Sequence, residues 1–261
     1  MIKPTGMFAV AIGFILCSSG AFAAVKSMPV SYKDGETALT GQLFWDDSIE
    51  GKRPGVLVVH EWWGLNDYAR KRASMLAEMG YVAFALDMYG DNKVTTHPAK
   101  AEEWSKAATA DVEAWRQRAR LGLERLRASE LTDSDRIAAI GYCFGGSTVM
   151  QLAYAGEEIK GVVSFHGALP LPQGDEARRI KGRVLIEHGN SDAFIPLERV
   201  DAFRAALNEA GVAYTFNGHN GARHAFTNPD AGSFGIENLK YDKAADEASW
   251  KSMQALFGEI F

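Results

Sequence analysis

Continuous apolar runs of strand length alternate along this chain with longer stretches in which apolar residues recur at helical spacing. Val56 to His60, Tyr81 to Leu86, Arg136 to Ile140, Gly161 to His166 and Arg183 to His188 are of the first kind. Such runs mark strands buried on both faces. Val212 to Phe216 reads as one more strand. Leu65 to Met79 has the helical pattern and stops at Gly80, a natural C-cap. The same pattern predicts one long polar-faced helical region from Pro98 to Ser129, with Trp104 and Trp115 on its inner stripe, and helices over Ser147 to Ala155, Leu197 to Ala210 and Asn238 to Phe257. Val25 to Tyr32 and Ala38 to Trp45 flank an Asp34-Gly35 turn signal and predict an antiparallel pair capping one sheet edge. Strands alternating with helices through short loops imply an α/β fold: a mostly parallel central sheet with helices on both faces.

The N-terminal stretch stands apart. Lys3 is followed by an apolar run from Met7 to Leu16, small residues and Ala21-Phe22-Ala23, the layout of a secretory signal peptide cleaved after Ala23. The run is short for a bilayer span, so no stable membrane insertion is expected after its removal. Residues 1–23 are therefore expected to be a signal peptide and residues 24–261 a single exported domain, in a chain of 261 residues, 47% hydrophobic and 23% charged, that is large enough for one core. Loss of Lys3 takes the formal charge from −5 to −6. A mildly acidic chain without a basic patch is a poor nucleic-acid binder. Of the two cysteines, Cys17 would leave with the signal. Cys143 would then be the lone thiol in an oxidising compartment, a liability unless chemistry requires it.

Cys143 lies at the centre of Gly141-Tyr-Cys-Phe-Gly-Gly146, between a strand and a helix. Free cysteines are commonly small buried apolar residues. This one instead has the context of a nucleophile elbow: a strand delivers the residue, glycines allow the tight turn and a helix N-terminus favours a thiolate. Parallel sheets place their sites at the C-terminal strand ends, where Glu61, Cys143, Asp192 and His224 all fall. A cysteine nucleophile needs a base, and the base needs a partner that fixes its tautomer. His224 and Asp192 fit those roles in the chain order nucleophile, acid, histidine. His219 shares the loop with His224 but lies closer to the preceding strand. His166 and His188 read as packed or hydrogen-bonded core residues, and His60 as one that shapes the site. The backbone amides of Phe144 and Trp62 are the expected oxyanion donors. The side chains of Trp62 and Trp63 are candidates for an apolar pocket wall, with ordinary core packing as the alternative. No spaced ligand motif suggests a metal, and no cofactor is expected.

Gly-Tyr-Cys-Phe-Gly-Gly, the His60-Glu61 pair, Asp87-Met88-Tyr89, Gly189-x-x-Asp192 and His224-Ala225-Phe226 together resemble the dienelactone hydrolase family over nearly the whole chain after residue 23. The resemblance implies an α/β-hydrolase fold, a Cys-His-Asp triad that opens an enol lactone, and a glutamate, here Glu61, that controls protonation of the thiol. Tyr89, Asp91 and Asn228 would line the substrate pocket. Asp91 and Asn228 stand where family members acting on dienelactone carry two carboxylate-gripping arginines, a departure that argues against an anionic dienelactone as substrate.

The expected protein is a periplasmic cysteine hydrolase of activated carboxylic esters or lactones, a monomer or small homo-oligomer whose partner is its small-molecule substrate. A thiolate departs from a tetrahedral intermediate more readily than an alkoxide, so productive acylation requires a stabilised leaving group. The alternatives are a thioesterase on the same residues, and a non-catalytic binding or redox protein on the hydrolase fold.

Overall fold

The computed structural model describes Met1 and residues 25–261. The expected signal peptide, Met1 apart, lies outside the described residues. Eight strands form one sheet in the order β1-β2-β4-β3-β5-β6-β7-β8. The hairpin of β1 (Val25–Asp34) and β2 (Thr37–Asp46) sits at one edge, with β2 antiparallel to β4 (Val82–Leu86). From β4 onward every neighbouring pair is parallel: β3 (Arg53–Val59), β5 (Thr132–Tyr142), β6 (Gly161–Phe165), β7 (Arg183–Gly189) and β8 (Tyr214–His219). The mostly parallel, doubly covered sheet expected from the apolar pattern is present, with the α/β-hydrolase fold that the resemblance implies.

Each buried strand feeds two cores. In β3, Leu57 and Val59 pack into one apolar cluster, while Val56 and Val58 pack into the other. That alternation is the two-residue period of a strand covered on both sides. Helices α1 (Asp67–Glu78) and α6 (Lys243–Ile260) supply Leu76 and Phe257 to one face. The other face receives Leu123 from α3 (Val112–Arg127), Met150 from α4 (Phe144–Tyr154) and Phe203 from α5 (Leu197–Glu209). Among the described residues no helix is long and apolar enough to cross a membrane.

Element ends shift from the sequence expectation by a few residues, and three of the differences bear on the site's surroundings. The helical region from Pro98 divides into α2 (Pro98–Thr109) and α3, because Asp111 takes an extended backbone and its carboxylate accepts the Ala114 amide at 2.8 Å. A capping aspartate starts a new helix there. Helix α6 begins at Lys243 rather than Asn238, capped by Asp242, whose carboxylate accepts the Ala245 amide at 3.1 Å. Strand β8 runs on to His219, which therefore ends a strand instead of belonging to the loop of His224.

The chain moves from β3 outward to β4 and then returns to lay β5 on the other side of β3. This reversal opens a crevice at the carboxyl ends of β3 and β5, where open α/β sheets place ligands.

Candidate active site

Cys143 is the single residue between β5 and α4, held at φ 55° and ψ −115°. A non-glycine residue in this region carries about 1–3 kcal/mol of strain, sustained only by over-determined surroundings. The surroundings here are close. A Cβ added at Gly145 would lie 2.2 Å from the Val59 carbonyl oxygen, and one at Gly141 would lie 2.0 Å from that of Gly145. Neither position accepts a side chain without backbone movement. The Cys143 N–H is shared between the Phe165 carbonyl at 3.0 Å and His166 Nδ1 at 3.1 Å. The Phe144 amide is the first of α4 and has no acceptor within the helix.

The loops after β7 and β8 carry Asp192 and His224 to the site. The His224 Nδ1–H donates to Asp192 Oδ2 at 2.6 Å, which leaves Nε2 for the thiol. Asp192 Oδ1 accepts the Phe194 amide at 2.9 Å and Asn238 Nδ2 at 3.1 Å. Burial opposes the Asp192 charge, but the bond and charge of His224, with those two donors, hold it below the usual carboxylate range. Burial likewise opposes the charged form of His224. The Cys143 sulfur and Asp192 outweigh it and raise His224 well above the usual imidazole range. His219 is engaged elsewhere, with its Nε2 2.6 Å from Glu187 Oε2.

On the other side of the elbow, Glu61 follows β3 and is 2% exposed. Its Oε2 accepts Asn228 Nδ2 at 2.6 Å, and Asn228 Oδ1 accepts the Asp230 amide at 3.0 Å, which fixes the orientation of the Asn228 amide. Burial pushes Glu61 up to about 7, with the Asn228 bond and the His224 and Arg72 charges acting against the shift. His60 is neutral and locked: its Nδ1 donates to the Glu61 carbonyl at 2.5 Å and its Nε2 accepts the Met88 amide at 3.2 Å. Burial lowers its pKa. The Tyr89 hydroxyl donates to the Trp62 carbonyl at 3.0 Å, so it braces the turn that carries the Trp62 amide.

Cys143, His224, Phe144 and Trp62 open onto one cavity of about 340 Å³, closed by Trp115 and Pro170. The pocket expectation needs correction at four residues. Trp63 is 1% exposed and stacks on Phe234 with ring centroids 4.0 Å apart, away from the cavity. Asp91 lies with Tyr89 on a neighbouring depression and pairs with Lys93 at 3.5 Å. Asn228 is spent on Glu61. Trp115, Ser147, Ala168 and Pro170 line the cavity and were not expected from the sequence. Only Trp115 left a signal there, as an aromatic on the inner stripe of a helix.

The buried Glu61 gives a measurable stability signature. Its native pKa of about 7 exceeds the ordinary 4.5, so between these values the folded chain holds more protons than the unfolded one. Stability therefore falls as pH rises through that window, by roughly 3 kcal/mol in all. Glu61→Gln keeps the amide oxygen for Asn228 and removes the penalty. In urea melts the variant is expected to exceed the native protein by about 2 kcal/mol at pH 8, with the gap closing at pH 5. Parallel stability curves from pH 5 to 8 would contradict the assignment.

A sequence profile described as the dienelactone hydrolase family matches residues 40–261. Among solved structures, the dienelactone hydrolase-like promiscuous phosphotriesterase P91 from metagenomic libraries is similar at 39% identity and a TM-score of 0.88, over 91% of this chain and 99% of that one. A dienelactone hydrolase candidate of Klebsiella pneumoniae shares the fold at 22% identity and a TM-score of 0.70, over 90% of this chain and 99% of that one. A candidate carboxymethylenebutenolidase of Escherichia coli K12 is 28% identical over 80% of this chain and 78% of its own. With the profile spanning most of its length, the chain belongs to the dienelactone hydrolase family and is an ester or lactone hydrolase of the α/β-hydrolase fold.

Proposed function

We propose that the protein is a cysteine hydrolase of activated carboxylic esters and enol lactones, with Cys143 as nucleophile, His224 as its base and Asp192 as the partner that fixes the imidazole. The observation that carries this reading is the alignment at the elbow: Cys143 faces a histidine whose other nitrogen is bound to a carboxylate at 2.6 Å. His224 Nε2 takes the thiol proton as sulfur bonds to the substrate carbonyl carbon. The oxyanion is received by the Phe144 and Trp62 amides. As the carbonyl re-forms, the bond to the leaving group breaks and His224 returns the proton to it. Water, deprotonated by His224, then cleaves the thioester and frees Cys143. Glu61, poised near 7 and held by Asn228, has the place of the glutamate to which the family resemblance assigns control of thiol protonation.

A second reading follows from the similar metagenomic protein, a promiscuous phosphotriesterase. The cavity walls are largely apolar, and Lys106 at the rim is paired with Glu102 at 2.5 Å. Such a site suits neutral substrates, phosphotriesters included. We also propose that the chain is exported to the periplasm, on the pattern of residues 3–23. N-terminal sequencing of the protein from the periplasmic fraction is expected to begin at Ala24, and an intact Met1 in the cytoplasmic fraction would contradict export.

The kinetic test compares an aryl acetate, an ethyl ester, an aliphatic thioester and an aryl dialkyl phosphate. Aryl ester turnover is expected to exceed ethyl ester turnover by about a thousandfold, in line with the leaving group's role in thiolate chemistry. His224→Ala should lower kcat for the aryl ester by about a thousandfold. Glu61→Gln should remove an inflection near pH 7 from the kcat/KM profile. Equal rates for aryl and ethyl esters, or a His224→Ala variant with native activity, would overturn the mechanism. Phosphate or thioester turnover faster than that of every carboxylic ester would replace the substrate class.

A further inference from the structure

Cys143 is the nucleophile of the proposed reaction, and its peptide N–H is shared between the Phe165 carbonyl and a side chain with no part in the triad. His166 stands just past β6 at φ 41° and is fully buried. Its Nδ1 accepts the Cys143 N–H at 3.1 Å. An amide can only donate, so Nδ1 carries no proton and the ring's single hydrogen resides on Nε2. That hydrogen points at Thr227 Oγ1, 2.7 Å away, and Thr227 Oγ1 lies 2.6 Å from the Tyr68 hydroxyl. Arg72 holds both ends of this contact, donating to the Thr227 carbonyl at 2.6 Å and to the Tyr68 oxygen at 3.3 Å.

We propose that His166, with its tautomer set by Thr227, is a positioning residue for the nucleophile: it holds the Cys143 peptide in its strained orientation, so that the amide of Phe144, and not that of Cys143, meets the oxyanion. The role rests on the hydrolase reading above. Protonation would remove the lone pair that receives Cys143, and the surroundings oppose it. Burial comes first, followed by the charges of His224, Arg72 and His188, and together they keep His166 well below the usual imidazole range. The His166 ring also meets His224 edge to face at 5.2 Å, so the same side chain limits how far the base can turn from the thiol.

Thr227→Val preserves shape and removes the partner that selects the tautomer. His166→Leu removes the side-chain acceptor and leaves the Cys143 N–H only the Phe165 carbonyl at 3.0 Å, whereas His166→Asn tolerates positive φ and offers an oxygen in place of Nδ1. The expected result with an aryl acetate is a kcat loss of about tenfold for Thr227→Val and about a hundredfold for His166→Leu, with KM within about twofold of native. His166→Asn is expected to recover most of the loss. On the native protein, ¹⁵N spectra of the imidazoles should report His166 unprotonated at Nδ1 and protonated at Nε2, without titration from pH 5 to 9. This measurement stands even where a variant does not fold. A His166 that titrates in that range or carries its proton on Nδ1, or folded Thr227→Val and His166→Leu variants with native kcat, would overturn the role. Absence of turnover in the native protein would instead overturn the hydrolase reading, and this role with it.

Discussion

The buried guanidinium of Arg72 is the constraint on which the rest of the site depends. It donates to the Thr227 carbonyl at 2.6 Å and pairs with Asp246 of α6 at 2.5 Å. The rings of Tyr68, Tyr142 and Trp250 lie within 5.5 Å of it. One side chain of α1 thus ties together α6, the end of β5 and the loop after β8. A cation removed from water is tolerated only when paired and hydrogen-bonded, so these elements are coupled to one another through it. The loop it pins carries His224 toward the thiol, Thr227 toward His166 and Asn228 toward Glu61. Three contacts to two sides of the elbow are set by five consecutive residues.

The electrostatics divide the site by function. His60 and His166 are kept neutral by burial and serve as directional hydrogen-bonding groups with fixed tautomers. His224, beside Cys143 and Asp192, is the imidazole whose surroundings favour the charged form. Glu61 sits between these limits, poised near 7. A low-dielectric cavity makes each preference stronger than it would be in water. The shared environment explains why chemically identical side chains a few ångströms apart hold different charge states.

Much of this was legible in the chain. Val56 to His60 and its counterparts read as doubly buried strands because an apolar run leaves little else for them to be, and strand ends located Glu61, Cys143, Asp192 and His224. The failures share a different cause. Asp111 divides a helical region through one carboxylate–amide contact, which periodicity does not register. Trp62 and Trp63 are adjacent, yet one lines the cavity while the other stacks on Phe234, because the turn after β3 sends them in different directions. Arg72 reads as one more charge on a helix, and its partners Thr227 and Asp246 are remote in sequence. His166 reads as a core histidine, and it is one. Its bond to the Cys143 amide exists only once β5 and β6 lie side by side.

The central claim is that Cys143 becomes acylated, and the most direct measurement is rapid-quench mass spectrometry of the protein mixed with an aryl acetate. The account predicts that the intact mass rises by one acetyl group within the first turnover. Peptide mapping should place that group on Cys143, and Cys143→Ser should not accumulate it as a thioester. Product release from the native protein with no adduct at any quench time, or an adduct confined to another residue, would contradict the account.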